Sequence, residues 1–168
     1  MRLKDQKGFS LLEVLLYISA TVIVISGFFS LYLSILSAQA KSKAIAEVEM
    51  QSYYLMETIT REIKNAQQIL SPTDANNVSR LEYINQANQL TAIYLENDYI
   101  IQSIDNQNVL LNTDKIKINN LTFANNSYAD TASIIKINLT AAYQTNTLRP
   151  EYNYTQTFTV SARQNIKK

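Results

Sequence analysis

The 168-residue chain contains no cysteine, no histidine and no tryptophan, and it has only two glycines and two prolines. The absence of cysteine excludes disulfides, thiolate nucleophiles and cysteine-ligated metals. The absence of histidine removes the commonest general base and the commonest metal ligand. Acidic residues are present, but those after Glu13 are scattered among asparagine-rich turns and form no paired set. We therefore expect no enzymatic activity, no cofactor and no bound metal.

An excess of charge of either sign is also missing. The chain has 15 basic and 14 acidic side chains, a formal net charge of +1. Proteins that bind nucleic acid through its phosphates need a basic surface, so we expect no nucleic acid as a partner. The length fits one domain with an anchor, or at most two small units.

The longest feature that is present is an apolar run near the N-terminus. No charged residue occurs between Val14 and Leu36, and residues 9–36 exceed the roughly 20 apolar residues that a membrane span needs. Three basic residues and one acidic residue precede the run: Arg2, Lys4, Lys7 and Asp5. The positive-inside rule then predicts a single span in the cytoplasmic membrane with its N-terminus inside.

A cleaved secretory signal peptide is the alternative explanation of this run. Ala38-Gln39-Ala40 offers a small-x-small cleavage site. Signal-peptide cores are, however, only about 7–15 residues long, and Glu13 would be unusual inside one. A membrane anchor is therefore the better prediction.

Glu13 is the one ionisable group in the opening turn of the run. Such groups are costly at the edge of hydrocarbon and usually functional. A simple explanation is that the carboxylate caps the positive end of a helix, which contributes up to about 1 kcal/mol. Helix capping does not explain the adjacent Gly8-Phe9.

The segment Gly8-Phe9-Ser10-Leu11-Leu12-Glu13-Val14 resembles the processing site of type IV prepilins and type II secretion pseudopilins. The resemblance covers roughly residues 1–35 and implies that a prepilin peptidase cuts between Gly8 and Phe9. It implies N-methylation of Phe9 and makes Glu13 the fifth residue of the mature chain. Glu13 would then pair with the Phe9 amine of a neighbouring pilin or pseudopilin subunit during assembly.

One departure from the family pattern and two similarities to a subgroup favour a minor subunit. Many major pilins carry prolines that bend this helix, whereas here the first proline is Pro72 and Gly27 is the only weak helix former. The pattern Leu55-x-x-x-Ile59-x-x-Glu62-Ile63-x-x-Ala66 is similar to the end of the long helix in J-type minor pseudopilins. A late apolar segment at residues 118–123 and a closing strand with Arg163 near its end also resemble that subgroup.

The periodicity beyond the span predicts that the helix continues as an amphipathic helix over residues 37–70. Apolar residues recur at three- and four-residue spacing, with Ser52 in the one gap: Ile45, Val48, Leu55, Ile59, Ile63, Ala66 and Leu70. Pro72 then stops the pattern.

Short β-rich segments follow, bounded by turn residues. They are residues 80–84, 90–95, 99–104 and 115–123, and then two strictly alternating strands at 135–143 and 152–160. Leu148-Arg149-Pro150 should join the last two strands as a hairpin. Asp98 and Asp105 have no calcium-loop spacing and are expected to form turns.

The predicted fold is α+β: a long N-terminal helix, with a transmembrane and an amphipathic half, packed on a small antiparallel β-sheet. This layout also resembles the minor pilins. The predicted segments are a leader peptide at 1–8, a transmembrane helix at 9–36, an amphipathic helix at 37–70 and a globular sheet domain at 71–168.

Two classes of function remain open on this basis. The first is a minor pilin or pseudopilin that moves from the cytoplasmic membrane into an extracytoplasmic type IV pilus or type II secretion-like pseudopilus. DNA-uptake (competence) machinery shares the same export signal and fold. The second is an extracytoplasmic binding or adhesin domain held by a signal anchor, with the tyrosine- and asparagine-rich sheet as its binding surface.

Overall fold

A computed structural model describes residues 10–127, 133–144 and 155–164 of the chain. Within these residues one helix, α1 (Leu11–Asn65), is followed by eight strands. The strands are β1 (Gln68–Ser71), β2 (Arg80–Ile84), β3 (Leu90–Glu96), β4 (Tyr99–Ile104), β5 (Gln107–Leu110), β6 (Ile116–Asn125), β7 (Ile134–Tyr143) and β8 (Thr155–Arg163). The chain divides into two compact units, Met1–Ala40 and Lys41–Lys168, and α1 contributes to both.

The first five strands form an antiparallel meander in the order β1-β2-β3-β4-β5. Asn97 and Asp98 join β3 to β4, and Asp105 and Asn106 join β4 to β5, with positive φ at all four residues. Two consecutive left-handed residues form the hairpin turn that matches strand twist, and Asn and Asp adopt this conformation more readily than other side chains. The prediction that Asp98 and Asp105 form turns is confirmed.

The last three strands form a second antiparallel sheet in the order β6-β7-β8. The alternation predicted for β7 is confirmed, because Ile135, Ile137, Leu139 and Ala141 are all fully buried. β7 pairs with β8 from Ile134↔Arg163 to Ala142↔Thr155, as the predicted hairpin requires. The predicted loop at Leu148-Arg149-Pro150 lies outside the described residues.

The core lies where the second part of α1 meets both sheets. The helix contributes a fully buried stripe, Val48, Ser52, Leu55, Ile59 and Ile63. Large side chains of both sheets pack against it: Leu81, Tyr83, Ile93, Ile100, Ile118, Leu121, Phe123, Ile135, Ile137 and Leu139. Each such side chain contributes about 1.5–3 kcal/mol on burial. The α+β class with antiparallel strands is confirmed, but the strands form two sheets where one was expected.

The predicted end of the helix was wrong. Helix α1 stops at Asn65, and Gln68–Ser71 form β1 instead of the last helical turn. β1 pairs with β2 through Gln68↔Ile84, and Ser71 precedes Pro72, a position that favours extended backbone. Leu70 is consequently exposed and lies outside the core.

Gln164, one residue after β8, closes the C-terminal end of α1. Its side-chain Nε2 donates to the carbonyl oxygens of Ala66 at 3.0 Å and Gln67 at 2.8 Å. These two residues link α1 to β1, and a buried carbonyl there needs a hydrogen-bond donor from elsewhere. A side chain 98 residues after Ala66 in the chain therefore fixes the segment directly after the helix end.

Candidate anchoring and assembly site

Glu13 lies in the first turn of α1. Ser10 directly precedes the helix, and its carbonyl oxygen accepts from the backbone N–H groups of Glu13 at 3.0 Å and Val14 at 3.2 Å. Ser10 and Glu13 have the spacing of a capping box, in which each side chain bonds the other's backbone. Within residues 10–127, however, neither side chain makes such a bond. The Glu13 carboxylate is exposed at the positive end of the helix, where it can accept an external cation.

The apolar part of α1 is exposed on all its faces. Consecutive large side chains are accessible around the helix, from Leu11 and Leu12 through Phe28 to Leu36. No position in the most apolar stretch of the helix is buried. A helix that is apolar all round requires burial in a membrane or in a larger assembly. The helix is long and apolar enough to cross a membrane.

Three hydroxyl groups within the apolar part are satisfied by the helix itself. Ser19 Oγ donates to the carbonyl of Leu16 at 2.9 Å, Thr21 Oγ1 to that of Tyr17 at 2.7 Å, and Ser26 Oγ to that of Val22 at 2.7 Å. Such bonds remove the cost of placing a free hydroxyl in hydrocarbon. These polar residues are therefore compatible with a lipid surrounding.

The structure describes only part of the site predicted from the sequence. Glu13 is in place in the first turn, whereas Gly8 and Phe9 lie outside the described residues. Cleavage after Gly8 and methylation of Phe9 thus stay predictions. The capping position of Glu13 is visible in the backbone, and its pairing with a neighbouring subunit remains a hypothesis.

A polar cluster that the sequence did not predict lies at the junction of α1, β2 and β4. Tyr83 donates its hydroxyl to Glu62 Oε2 at 2.8 Å and accepts from Gln102 Nε2 at 3.3 Å. Tyr83 is fully buried, and burial, followed by the hydrogen bond and charge of Glu62, raises the pKa of Tyr83. The hydroxyl therefore keeps its proton and serves as a fixed donor, not as a base.

This Glu62–Tyr83 pair borders a depression of about 290 Å³ whose other lining residues are Asn65, Asn85, Gln86 and Ala87. The chain has no histidine or cysteine, and among the residues that the structure describes no three carboxylates lie close enough together to hold a metal. The alternation of β2 could have indicated that Tyr83 is buried beside Leu81. Its partner Glu62, 21 residues away, follows only from the packing of the helix on the sheet.

The outer face of the five-stranded sheet carries a second depression of about 320 Å³, lined in part by Arg80 and Asp105. Arg80 Nε lies 2.7 Å from Glu82 Oε1, and its guanidinium stacks 4.8 Å from the centre of the Tyr94 ring. Its charge is thus already paired on the protein surface, where such ion pairs contribute little. Asp105 accepts a hydrogen bond from Gln89 Nε2 at 2.8 Å, so both charged side chains at this depression already have a partner within the protein.

Comparison of the chain with protein-family models, with curated proteins and with solved structures finds no match.

Proposed function

We propose that this chain is a minor pilin or pseudopilin subunit, processed by prepilin peptidase after Gly8 and assembled into a type IV pilus or a type II secretion-like pseudopilus. Its role is structural and not catalytic. Its partners are the peptidase, other pilin or pseudopilin subunits and, through residues 9–36, the membrane.

One observation carries the proposal. A single helix begins at Leu11, two residues after Phe9, exposes a predominantly apolar surface in its first part and packs on antiparallel sheets in its second. A membrane anchor in general needs only the apolar part. The combination of the cleavage sequence, the Glu13 in the first turn and the continuous helix is what a pilin-type subunit requires.

Charge pairing supplies the assembly step in this proposal. Cleavage gives Phe9 a positively charged amine close to the membrane depth of Glu13. Within one helix the two groups lie about one turn apart and interact weakly. Between neighbouring subunits, the Glu13 carboxylate of one chain can accept the Phe9 amine of the next, which relieves the cost of an unpaired charge in an apolar bundle.

Mass spectrometry of the N-terminus of the membrane-extracted protein tests the proposal. We expect the mature chain to begin with N-methylated Phe9. A chain that still begins with Met1, or one that begins after Ala40, contradicts it. A start at Met1 would favour the signal-anchored binding domain, and a start after Ala40 would favour a secreted domain.

A blocked-cleavage variant provides the matched control. Gly8→Val places a branched side chain at the bond that the peptidase must reach, so this variant should retain its leader and migrate as a chain eight residues longer. Normal processing of Gly8→Val would also contradict the proposal.

A further inference from the structure

Strand β8 forms an open edge of the three-stranded sheet. It pairs with β7 along its whole length, and among the described residues no strand pairs with its other side. In an antiparallel edge strand every second residue turns its N–H and C=O groups outward. β8 therefore presents a row of backbone groups that can accept another strand.

The other edges of the two sheets are short or covered. β1 and β5 each contain four residues, and β1 is further interrupted by a register shift between Ile69 and Ser71. β6 is long, but several of its outward N–H groups already donate to carbonyls of the same chain: Ile118 to Asp98, Phe123 to Val78 and Asn125 to Asp74. Among the described strands, β8 is thus the long edge that remains open.

β8 also lacks the features that normally prevent an edge strand from pairing. Residues 155–162 contain no charged residue and no proline, and Arg163 at the end of the strand is its one charge. Natural edge strands usually carry lysine, proline or a bulge to block association. The sequence of β8 leaves association open.

An apolar shelf runs beside this edge. We define the edge shelf as Met50, Tyr53 and Tyr54 of α1 with Phe158 and Val160 of β8. Val160 faces the core but keeps 37% of its surface exposed, whereas its partner Ile137 on β7 has none exposed. The Tyr53 ring meets Phe158 edge-to-face with the ring centres 5.7 Å apart, yet Tyr53 remains 66% exposed. Met50 and Tyr54 occupy the same helix face and are exposed as well.

The chemistry of the edge and the shelf specifies what can cover them. Only an extended backbone satisfies the outward N–H and C=O groups of β8, because a helix has its own groups already bonded. The side chains of an added strand alternate between its two faces, so every second one lies against the shelf. The shelf is uncharged, and a charged residue there would lose its hydration without gaining a partner. The occupant is therefore a strand with apolar residues at alternate positions.

A second copy of β8 does not fit this description in one membrane. If the β8 strands of two copies pair antiparallel and both edge shelves lie on the same face of the joined sheet, the copies are related by a twofold axis perpendicular to that sheet. That rotation reverses the direction of the α1 segment packed on the sheet, whereas chains anchored in one membrane all have α1 in the same direction. The other described edges of a second copy do not fit either, because β1 and β5 are too short for the nine residues of β8 and β6 is already bonded, so the strand comes from a different subunit.

We propose that the β8 edge and the edge shelf form the docking site for a β-strand donated by a different subunit of the same assembly, with uncharged, apolar residues at alternate positions. This inference rests on the proposed function, because it takes the partner from the assembly in which the chain is anchored. It assigns the sheet, as well as the helix, a role in subunit association.

The absence of cysteine makes a direct test possible in the full chain. Thr157→Cys, Thr159→Cys and Ser161→Cys place single thiols at successive exposed positions on the outer face of β8. Each variant is labelled in native membranes with a thiol-reactive benzophenone, irradiated and mapped by tandem mass spectrometry. We expect the three positions to crosslink to one segment of one partner protein at sites two residues apart. Asn108→Cys, an exposed position of the short edge strand β5, is the control and should give no crosslink to that segment.

A charge substitution tests the shelf independently. In the Val160→Lys variant, the lysine ammonium can stay in water as long as no strand is docked, because this position is partly exposed. A docked strand would bury the ammonium. We expect the crosslinking yield from Thr157→Cys to fall about tenfold or more in the Val160→Lys background. Val109→Lys, which changes an exposed valine of β5, is the matched control and should leave the yield unchanged.

The possible outcomes separate this inference from the proposed function, since the N-terminus is determined on the same sample. Methylated Phe9 without the two-residue series overturns the docking site and leaves the pilin proposal intact. The series on a chain that still begins with Met1 overturns the pilin proposal and retains strand docking. Attachment to lipid, to sites three or four residues apart, or to β8 of a second copy overturns the docking site.

Discussion

The exposed carboxylate of Glu13 has two possible roles that its position in the first turn of α1 does not distinguish. Capping of the helix by Glu13 acts within one chain, and pairing with a Phe9 amine acts between chains. In the proposed assembly, the loss of the carboxylate would leave an amine unpaired in an apolar bundle. The two roles therefore predict different consequences for the same substitution.

Glu13→Gln should preserve membrane insertion, cleavage and folding but reduce assembly. The amide is neutral, so insertion is no more costly than for the carboxylate. Loss of one partner of a desolvated ion pair costs about 3–5 kcal/mol, so recovery of partner subunits with the variant should fall sharply at equal abundance. Co-purification followed by quantitative immunoblotting measures this. Glu57→Gln changes an exposed glutamate of the same helix and is the control. Wild-type recovery with Glu13→Gln would leave helix capping as the role of this residue.

Tyr83 offers a residue-level test of the core through pH. Its pKa is raised above the ordinary value of 10.0 by burial and then by Glu62, so the folded chain retains a proton that the unfolded chain releases. This contribution to the free energy of unfolding is complete below pH 10 and is lost as the pH rises further, by up to about 1.4 kcal/mol per pH unit.

Tyr83→Phe should lower the free energy of unfolding by about 1–3 kcal/mol at pH 8, because a hydrogen bond to a charged acceptor is lost. The same variant should lose less stability than the wild type between pH 10 and 11. Urea denaturation of the full chain in detergent, followed by circular dichroism, measures both effects. Tyr54→Phe removes the hydroxyl of an exposed tyrosine and is the control at pH 8, where its free energy of unfolding should equal that of the wild type. An identical decline above pH 10 in wild type and Tyr83→Phe would contradict the assignment.

At the level of elements, the end of α1 depends on a distant glutamine. Gln164→Ala removes two hydrogen bonds and leaves the carbonyls of Ala66 and Gln67 without their donor. We expect the free energy of unfolding to fall by about 1–3 kcal/mol, because the buried carbonyl of Ala66 would be left without a donor. Gln144→Ala is the matched control, since Gln144 follows β7 as Gln164 follows β8 but is exposed. Equal stability of the two variants in urea denaturation would exclude this role of Gln164.

The strands that were predicted correctly are those whose own pattern determines them. β2 and β4 lie at the predicted residues because alternating side chains are bounded by turn residues. β1 and β5 were missed because each has only four residues and depends on pairing with its neighbour. Local periodicity carries no information about such pairing partners.

The buried positions of α1 could also be predicted only in part from the sequence. The spacing predicted Val48, Leu55, Ile59 and Ile63 as core, and the structure confirms them. Further buried positions were missed: Ala44, Met56 and Thr58. They are buried because this part of α1 packs against two sheets, which cover a wider arc of the helix than one sheet would. At the candidate site, Glu13 was predictable from its isolation among apolar residues, whereas the Glu62–Tyr83 contact depends on tertiary packing.

At the level of the whole molecule, charge is close to balanced before and after the proposed processing. Cleavage after Gly8 removes three of the 15 basic and one of the 14 acidic side chains, leaving 12 and 13 and a formal net charge of −1. We expect the mature full-length chain not to bind a fluorescently labelled DNA duplex in anisotropy titrations at about 50 mM salt, because no basic surface attracts phosphates. Binding that weakens steeply as salt is raised to about 200 mM would contradict this and favour a DNA-uptake role.

The hydrogen bonds from Gln164 to the end of α1 also set an order of events during synthesis. Ribosomes add about 5–20 residues per second, so the 98 residues between Ala66 and Gln164 take about 5–20 s to make. Until then the segment after the helix end lacks this donor, and β7 lacks its neighbour β8. The outward backbone groups of β7 are thus unpaired for seconds while the chain is already emerging, and during that time β7 is the strand edge most open to premature association.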